Sequence, residues 1–134
     1  ADQIVNNSTT LTNATDLSFA LGANERVYLL AFLGYSSSTT ADFKVGFTVP
    51  ASSTGRMNRI NTDISNVFET ETAASLGAQA SGGGGVTSPK AMILSAVAAG
   101  GGTAGTVQFQ FAQNTAEVSD TTLIANSFFL VFRE

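Results

Sequence analysis

Three chemically versatile residue types are missing from this chain of 134 residues, which has no histidine, no cysteine and no tryptophan. Without cysteine there is no disulfide, no thiolate nucleophile and no thiolate metal site. Without histidine the chain lacks the commonest general base and the commonest metal ligand. No serine lies in a G-x-S-x-G motif, and a serine triad would have no base. We therefore expect a protein that is not an enzyme, with no catalytic residue, no metal and no cofactor.

Charged residues are also scarce, at 12% of the chain, and the net charge is −4. The six lysines and arginines are dispersed, whereas a protein that binds phosphate backbones clusters its basic side chains. No apolar run approaches the ~20 residues that a helix needs to cross a bilayer. The composition thus predicts neither a nucleic-acid partner nor a membrane partner. The length fits one domain with its own core.

Apolar residues alternate along most of the chain and predict β-strands. We expect strands over residues 11–21, 26–35, 41–49, 56–60, 67–76, 91–97, 106–115, 121–126 and 127–133. A helix over residues 64–76 is the alternative for one of them, but the threonine content favours a strand. Eight or nine short strands at this spacing predict an all-β sandwich or barrel. The strand over residues 106–115 has one apolar and one polar face, which favours an antiparallel β-sandwich.

The polar residues 1–10 are expected to form a flexible arm ahead of a single β-sandwich domain over residues 11–134. The candidate docking residues of this arm are Asp2, Gln3, Ile4 and Val5. Residues 78–88 include four consecutive glycines and predict a long mobile loop. The stretch GGGGVTSPK lacks the residue spacing of a phosphate-binding loop.

Glu69 and Glu71 share a face if their segment is a strand. They could form a carboxylate pair or a calcium site, but no aspartate-rich loop surrounds them, so a solvated face is the favoured interpretation. The other carboxylates are dispersed and do not form an acid–base pair.

Two predicted strands, 26–35 and 127–133, are apolar on both faces. In the first, one side carries Val27, Leu29, Ala31 and Leu33 and the other carries Tyr28, Leu30 and Phe32. A sandwich core uses only one face of a strand, so the second face is expected to contact another copy of the chain. Of the tyrosines and phenylalanines, we regard Tyr28, Tyr35 and Phe129 as able to lie at the surface. The predicted subunit interface consists of Tyr28, Leu30, Phe32, Phe129 and Val131.

The order of these features resembles small structural domains of tailed bacteriophages, namely capsid decoration proteins and fibre-tip domains. The segments that carry the resemblance cover the beginning, middle and end of the chain: residues 17–21 (LSFAL), 23–24 (AN), the strand with Tyr28, 40–50 (TADFKVGFTVP), 109–115 (FQFAQNT) and 121–127 (TTLIANS). Such domains are similar to the trimeric jelly rolls of the tumour-necrosis-factor and complement type. The resemblance implies a jelly roll of about eight strands and a homotrimer.

The resemblance implies that the chain is a non-enzymatic virion protein. The leading hypothesis is a trimeric head decoration, or cement, protein that binds the major capsid protein and stabilises the assembled capsid. It would be made in the cytoplasm of the bacterial host and would reside on the capsid surface of the virion. The alternative is a receptor-binding or fibre-tip domain that recognises a glycan or protein on the host cell.

Overall fold

The computed structural model describes residues 1–62, 68–73, 75–77 and 88–134. In this part of the chain no residue is helical, and the regular structure is entirely β, as the alternation predicts. The described strands are β1 (Gln3–Val5), β2 (Thr12–Leu21), β3 (Arg26–Ser36), β4 (Phe43–Thr48), β5 (Thr54–Thr62), β6 (Phe68–Ala73), β7 (Lys90–Ala99), β8 (Gly105–Gln113), β9 (Thr121–Leu123) and β10 (Phe128–Arg133).

These strands form two antiparallel sheets that pack as a sandwich, so the predicted architecture is confirmed. The larger sheet has the order β1-β9-β3-β7-β5-β6, and β10 also pairs with β3. The smaller sheet has the order β2-β8-β4. Strands β9 and β10 therefore lie end to end along one edge of β3, while β7 occupies the other edge.

Strand β3 is the centre of the larger sheet, and its sequence explains its orientation. Its odd-numbered residues are buried, and its even-numbered residues are exposed or half-buried. This is the period of two that a strand imposes on its side chains. The predicted assignment of Val27, Leu29, Ala31 and Leu33 to one face and Tyr28, Leu30 and Phe32 to the other is confirmed. Tyr35, which we expected to be able to lie at the surface, follows the same period and is fully buried.

Aromatic rings fill much of the space between the sheets. Tyr35 of β3 stacks on Phe43 of β4 with ring centroids 4.7 Å apart, and Phe43 stacks on Phe111 of β8 at 5.8 Å. Phe47 meets Phe109 edge-on at 5.4 Å. Because these pairs join β3 to the smaller sheet and β4 to β8, they hold the two layers of the sandwich in register.

Strand β10 has the opposite orientation to the predicted one. Phe129 and Val131 point into the sandwich and pack against the core. The ring of Phe129 lies 5.8 Å from that of Phe109 and 6.1 Å from that of Phe47. The exposed side of β10 carries Phe128, Leu130 and Phe132 instead. Both faces of β10 are apolar, as predicted. However, Phe129 and Val131, which we assigned to the subunit interface, pack against the core.

Residues 1–10 are docked on the rest of the chain and do not form a free arm. Gln3–Val5 is strand β1, which pairs with β9, and Val5 is buried in the core. The Asp2 carboxylate accepts a hydrogen bond from the Ala125 amide at 2.7 Å. The Lys44 ammonium donates to the Thr9 carbonyl at 2.5 Å, and this contact covers the lysine. Residues near the start of the given sequence therefore belong to the sandwich.

Two other predictions concern segments that the structure describes only in part. Glu69 and Glu71 lie in β6, opposite Asn61 and Arg59 of β5, which supports the strand over the helical alternative. Most of the predicted loop over residues 78–88, including its four glycines, lies outside the described residues.

Candidate functional site

The outer side of the larger sheet carries a continuous apolar surface. Cross-strand registers align the side chains of β10, β3, β7 and β5 in three rows. The rows are Phe132–Tyr28–Val97–Arg56, Leu130–Leu30–Ser95–Asn58 and Phe128–Phe32–Ile93–Ile60. We call the nine large apolar side chains of these rows the outer apolar face: Tyr28, Leu30, Phe32, Ile60, Ile93, Val97, Phe128, Leu130 and Phe132.

The side chains of this face are ordered against one another but open to solvent. Phe32 and Phe128 stack with centroids 5.2 Å apart. Six of the nine residues keep between 41% and 56% of their surface exposed, and these are Tyr28, Ile60, Ile93, Phe128, Leu130 and Phe132. Large apolar side chains gain about 1.5–3 kcal/mol each when they leave water completely, so this surface is costly unless something covers it.

The size of the face fits the centre of a protein interface. Four strands about 4.8 Å apart and rows about 6.8 Å apart give a surface of roughly 400 Å² once side-chain widths are included, and nine of its twelve positions are apolar. Patches of this size on a single chain are commonly functional. A stable interface buries roughly 800 Å² per partner and surrounds its apolar centre with a polar rim.

Polar and charged groups lie at one end of the outer apolar face and within its middle row. Arg26 and Arg56 lie at one end of the sheet and, with Tyr28, line a shallow depression there. The Tyr28 hydroxyl donates to the Glu134 carboxylate at 3.3 Å. Ser95 and Asn58 form a polar notch in the middle row. The apolar surface is therefore continuous over β10 and β3, and hydrogen-bonding groups interrupt it over β7 and β5.

Three of the five predicted interface residues come together here, because Tyr28, Leu30 and Phe32 project from β3 onto this face. Phe129 and Val131 do not join them, as described above. The sequence analysis did not assign Ile60, Ile93 or Val97 to the interface. The alternation of β7 contains the necessary information for Ile93 and Val97, because the even-numbered residues Met92, Leu94 and Ala98 are buried and the odd-numbered residues must point outward.

The predicted docking residues of the amino-terminal segment have separate positions. Val5 is buried and Gln3 is half-buried, whereas Asp2 and Ile4 are exposed. Ile4 is in register with Thr122, which is in register with Ser36 of β3. Since even-numbered residues of β3 face outward, Ile4 lies on the outer side of the same sheet, beyond the row that contains Phe32.

Two glutamates have pKa values that hydrogen bonds lower. The Glu117 carboxylate accepts hydrogen bonds from the Ser119 and Ser38 hydroxyls, and these bonds lower its pKa below the usual 4.5. The Glu25 carboxylate accepts from Arg133 at 2.5 Å and from the Gly22 amide at 2.6 Å, which lower its pKa in the same direction. Both groups stabilise loops: Glu117 joins residues near 38 and 119, and Glu25 joins the β2–β3 turn to β10.

The described ranges contain no cluster of three or more aspartate, glutamate, histidine or cysteine side chains that could hold a metal ion. They also contain no helix long and apolar enough to cross a membrane. The outer apolar face is therefore the most distinctive surface that the described part of the chain presents.

Comparisons with protein-family models, with curated proteins and with solved structures found no match.

Proposed function

We propose that this chain is a non-enzymatic structural protein that associates with itself through the outer apolar face. The observation that carries the proposal is the set of nine apolar side chains on the outer side of β10, β3, β7 and β5. Two strands of the sheet contribute most of it, and they are the strands whose sequences are apolar on both faces. Burial against another copy removes the exposed phenylalanines from water, and this explains why both faces of these strands are apolar.

The biological setting we propose is the head of a tailed bacteriophage, where a homotrimer decorates the capsid and stabilises it. The sequence resemblance supplies this setting, and the strand order supports it. The order β2-β8-β4 in the smaller sheet and the order β10-β3-β7 in the larger sheet are compatible with a jelly roll of the trimeric type. A ligand that binds only the assembled shell stabilises that shell by mass action, and a trimer gains further through its effective concentration.

The self-association is tested by sedimentation equilibrium of the wild-type chain and two variants. The double variant Leu130→Ser/Phe132→Ser removes apolar area from the face, and we expect it to be monomeric where the wild type is trimeric. The matched control is Val118→Ser, because Val118 is the most exposed large apolar side chain in the part of the chain that the structure describes and lies outside the face. A wild type that stays monomeric at all concentrations contradicts the proposal, and a dimer contradicts its trimeric part.

The location is tested by immunogold electron microscopy of the parent virion with an antibody against this chain. Regular labelling over the head supports decoration of the capsid. Labelling confined to the tail tip contradicts decoration and favours the receptor-binding alternative. Absence of label contradicts the virion assignment as a whole.

A further inference from the structure

A second surface lies beside the outer apolar face, at the free edge of β10. In the described part of the chain, β10 pairs with β3 on one side, and no strand pairs with its other side. An unpaired strand edge presents a row of backbone donors and acceptors that another extended chain can complete. This surface differs from the outer apolar face, because it would bind through backbone amide and carbonyl groups and not through apolar side chains.

The ladder between β10 and β3 identifies the free backbone groups. The Glu134 amide donates to the Arg26 carbonyl at 3.3 Å, so residues 134 and 26 form a hydrogen-bonded pair. Such pairs alternate along an antiparallel ladder. The amide and carbonyl groups of residues 128, 130 and 132 therefore face β3, and those of Phe129 and Val131 point to the open edge.

The geometry of β3 gives the same alternation independently. The Gly34 carbonyl accepts a hydrogen bond from the Ile124 amide at 2.9 Å, and the Gly34 amide donates to the Ser127 hydroxyl at 3.0 Å. Even-numbered residues of β3 thus direct their backbone groups toward the β9–β10 side. Their partners on β10 are also even-numbered, which leaves Phe129 and Val131 as the outward pair.

The open edge faces a groove of about 380 Å³ between β10 and β2. Hydrogen bonds between elements lie at both ends of the β10 edge that borders this groove. At one end the Gln3 side chain accepts from the Thr15 amide at 2.7 Å, and at the other the Arg133 guanidinium donates to the Ala20 carbonyl at 2.8 Å. The edge between them has about five residues, or about 17 Å of extended chain.

The wall opposite β10 is an irregular stretch of β2. The register with β8 shifts between Asn13 and Ser18, and Asp16 has a positive φ of 65°. Among the described residues that line the groove, Asp16 has the only charged side chain. An occupant with a lysine or arginine at this point would be favoured by charge, and an acidic one would be disfavoured.

We propose that this groove binds an extended segment of a different protein, which adds to the larger sheet as a strand next to β10. Main-chain hydrogen bonds to Phe129 and Val131 supply the affinity, and a basic residue opposite Asp16 supplies selectivity. A second copy of this chain fits less well, because its own β10 edge lies inside the same groove. The inference does not depend on self-association through the outer apolar face.

Amide hydrogen exchange measured by NMR tests this proposal, with the capped peptide acetyl-TVKVTV-amide as the probe. The protein used is the Ile93→Ser variant, which weakens the outer apolar face on β7 and leaves β10 unchanged. In the free protein we expect fast exchange at Phe129 and Val131. At saturating peptide we expect exchange at both amides to slow by at least about tenfold, with shift changes confined to β10 and β2.

Matched variants and a matched peptide locate the contacts. Val131→Pro removes an amide that faces the groove while keeping the ladder to β3, so it should abolish peptide binding, whereas Val131→Ala should retain it. Asp16→Asn should weaken binding of the lysine peptide by about fivefold and leave acetyl-TVTVTV-amide unaffected. Native spectra away from β10 show that each variant is folded.

Four outcomes would overturn the proposal. The first is no peptide binding at millimolar concentration. The second is a set of shift changes centred on Tyr28 and Phe32, which would mean that the peptide binds the outer apolar face. The third is slow exchange at Phe129 and Val131 in the dilute free protein, which would mean that the chain covers its own edge. The fourth is protection that rises with protein concentration alone, which would identify a second copy as the occupant.

Discussion

At the scale of single residues, glycine permits a close approach between two turns. Gly100 donates to the Glu25 carbonyl at 2.7 Å, and Asn24 donates to the Gly101 carbonyl at 2.8 Å. A Cβ atom on Gly100 would lie 2.3 Å from the Gly22 carbonyl oxygen. The glycine-rich turn before β8 therefore packs against the β2–β3 turn through the backbone.

The first prediction concerns this contact. Gly100→Ala should destabilise the fold by about 2 kcal/mol, because the new methyl group forces two hydrogen-bonded turns apart. Urea denaturation at equilibrium measures the change in the free energy of unfolding. Gly102→Ala is the control, since a Cβ there meets no atom within 4 Å. Equal stability of the two variants would contradict the packing described here.

The second prediction concerns pH. The folded-state pKa values of Glu25 and Glu117 lie below 4.5, so the unfolded chain binds more protons than the folded chain as the pH falls through this range. Their stabilisation is present above 4.5 and is lost as the pH falls through the lowered folded values. We expect Tm to be nearly constant from about pH 7 to about pH 5 and to fall below that. Glu25→Gln/Glu117→Gln should reduce both the neutral Tm and the acid-induced fall, and an unchanged acid-induced fall would contradict this.

At the scale of elements, the orientation of a strand could be predicted from sequence only where apolar and polar positions differ. Strand β4 alternates in sequence, and its phenylalanines point inward as predicted. Strand β10 has the sequence Phe-Phe-Leu-Val-Phe, so either face would bury equivalent side chains. The sequence pattern therefore does not show which face points into the core. Tertiary contacts decide it, because Phe129 fits between the rings of Phe47 and Phe109.

The third prediction compares two variants of β10, one on its inner face and one on its outer face. Phe129→Ala should lower the free energy of unfolding of the monomer by about 3 kcal/mol, because it removes a ring from the core. Phe128→Ala should have a much smaller effect on the monomer and should weaken self-association. Denaturation at low protein concentration, together with sedimentation, measures both. The reverse ranking would mean that the predicted orientation of β10 was right after all.

The amino-terminal strand was missed for a different reason. Composition marks residues 1–10 as polar, and a three-residue strand gives almost no periodicity to detect. Its position depends on pairing with β9, about 118 residues away along the chain. Local sequence contains no information about such a distant partner, whereas the central strands are long enough to be recognised individually.

The fourth prediction follows from that pairing. Deleting residues 1–5 should lower Tm, because it removes Val5 from the core and exposes the edge of β9. Differential scanning calorimetry of the truncated chain measures the loss, and Ile4→Ser in the full chain is the control because Ile4 is exposed. An unchanged Tm in the truncated chain would restore the expectation of a free arm.

At the scale of the whole molecule, the sandwich was predictable and the surface chemistry was predictable in part. The number and spacing of the strands indicated an all-β sandwich or barrel, the half-buried strand patterns favoured the sandwich, and the apolar outer side of β3 indicated an exposed face. The full extent of that face could not be read from the sequence, because it depends on the registers of β10, β7 and β5 against one another. Ile60 joins Phe128 on one surface only through three consecutive pairings.

The fifth prediction applies to the assembled state. If burial of the outer apolar face holds copies together, Tm should rise with protein concentration, since association is linked to folding. Scanning calorimetry over about a hundredfold concentration range measures the trend. Val118→Ser should retain the slope, and Leu130→Ser/Phe132→Ser should lose it. A concentration-independent Tm in the wild type would contradict association through this surface.

The pairing of β3 with β7, β9 and β10 also constrains how the chain folds while the ribosome synthesises it. Every strand that borders β3 is synthesised long after it, and the last of them contains the final residues of the sequence. At about 5–20 residues per second the ribosome needs on the order of ten seconds to supply them. Throughout that interval Tyr28 and Phe32 lie on an incomplete sheet. Encounters between nascent chains on one polysome are therefore a hazard that this topology creates, and pairing of β10 with β3 is the step that ends it.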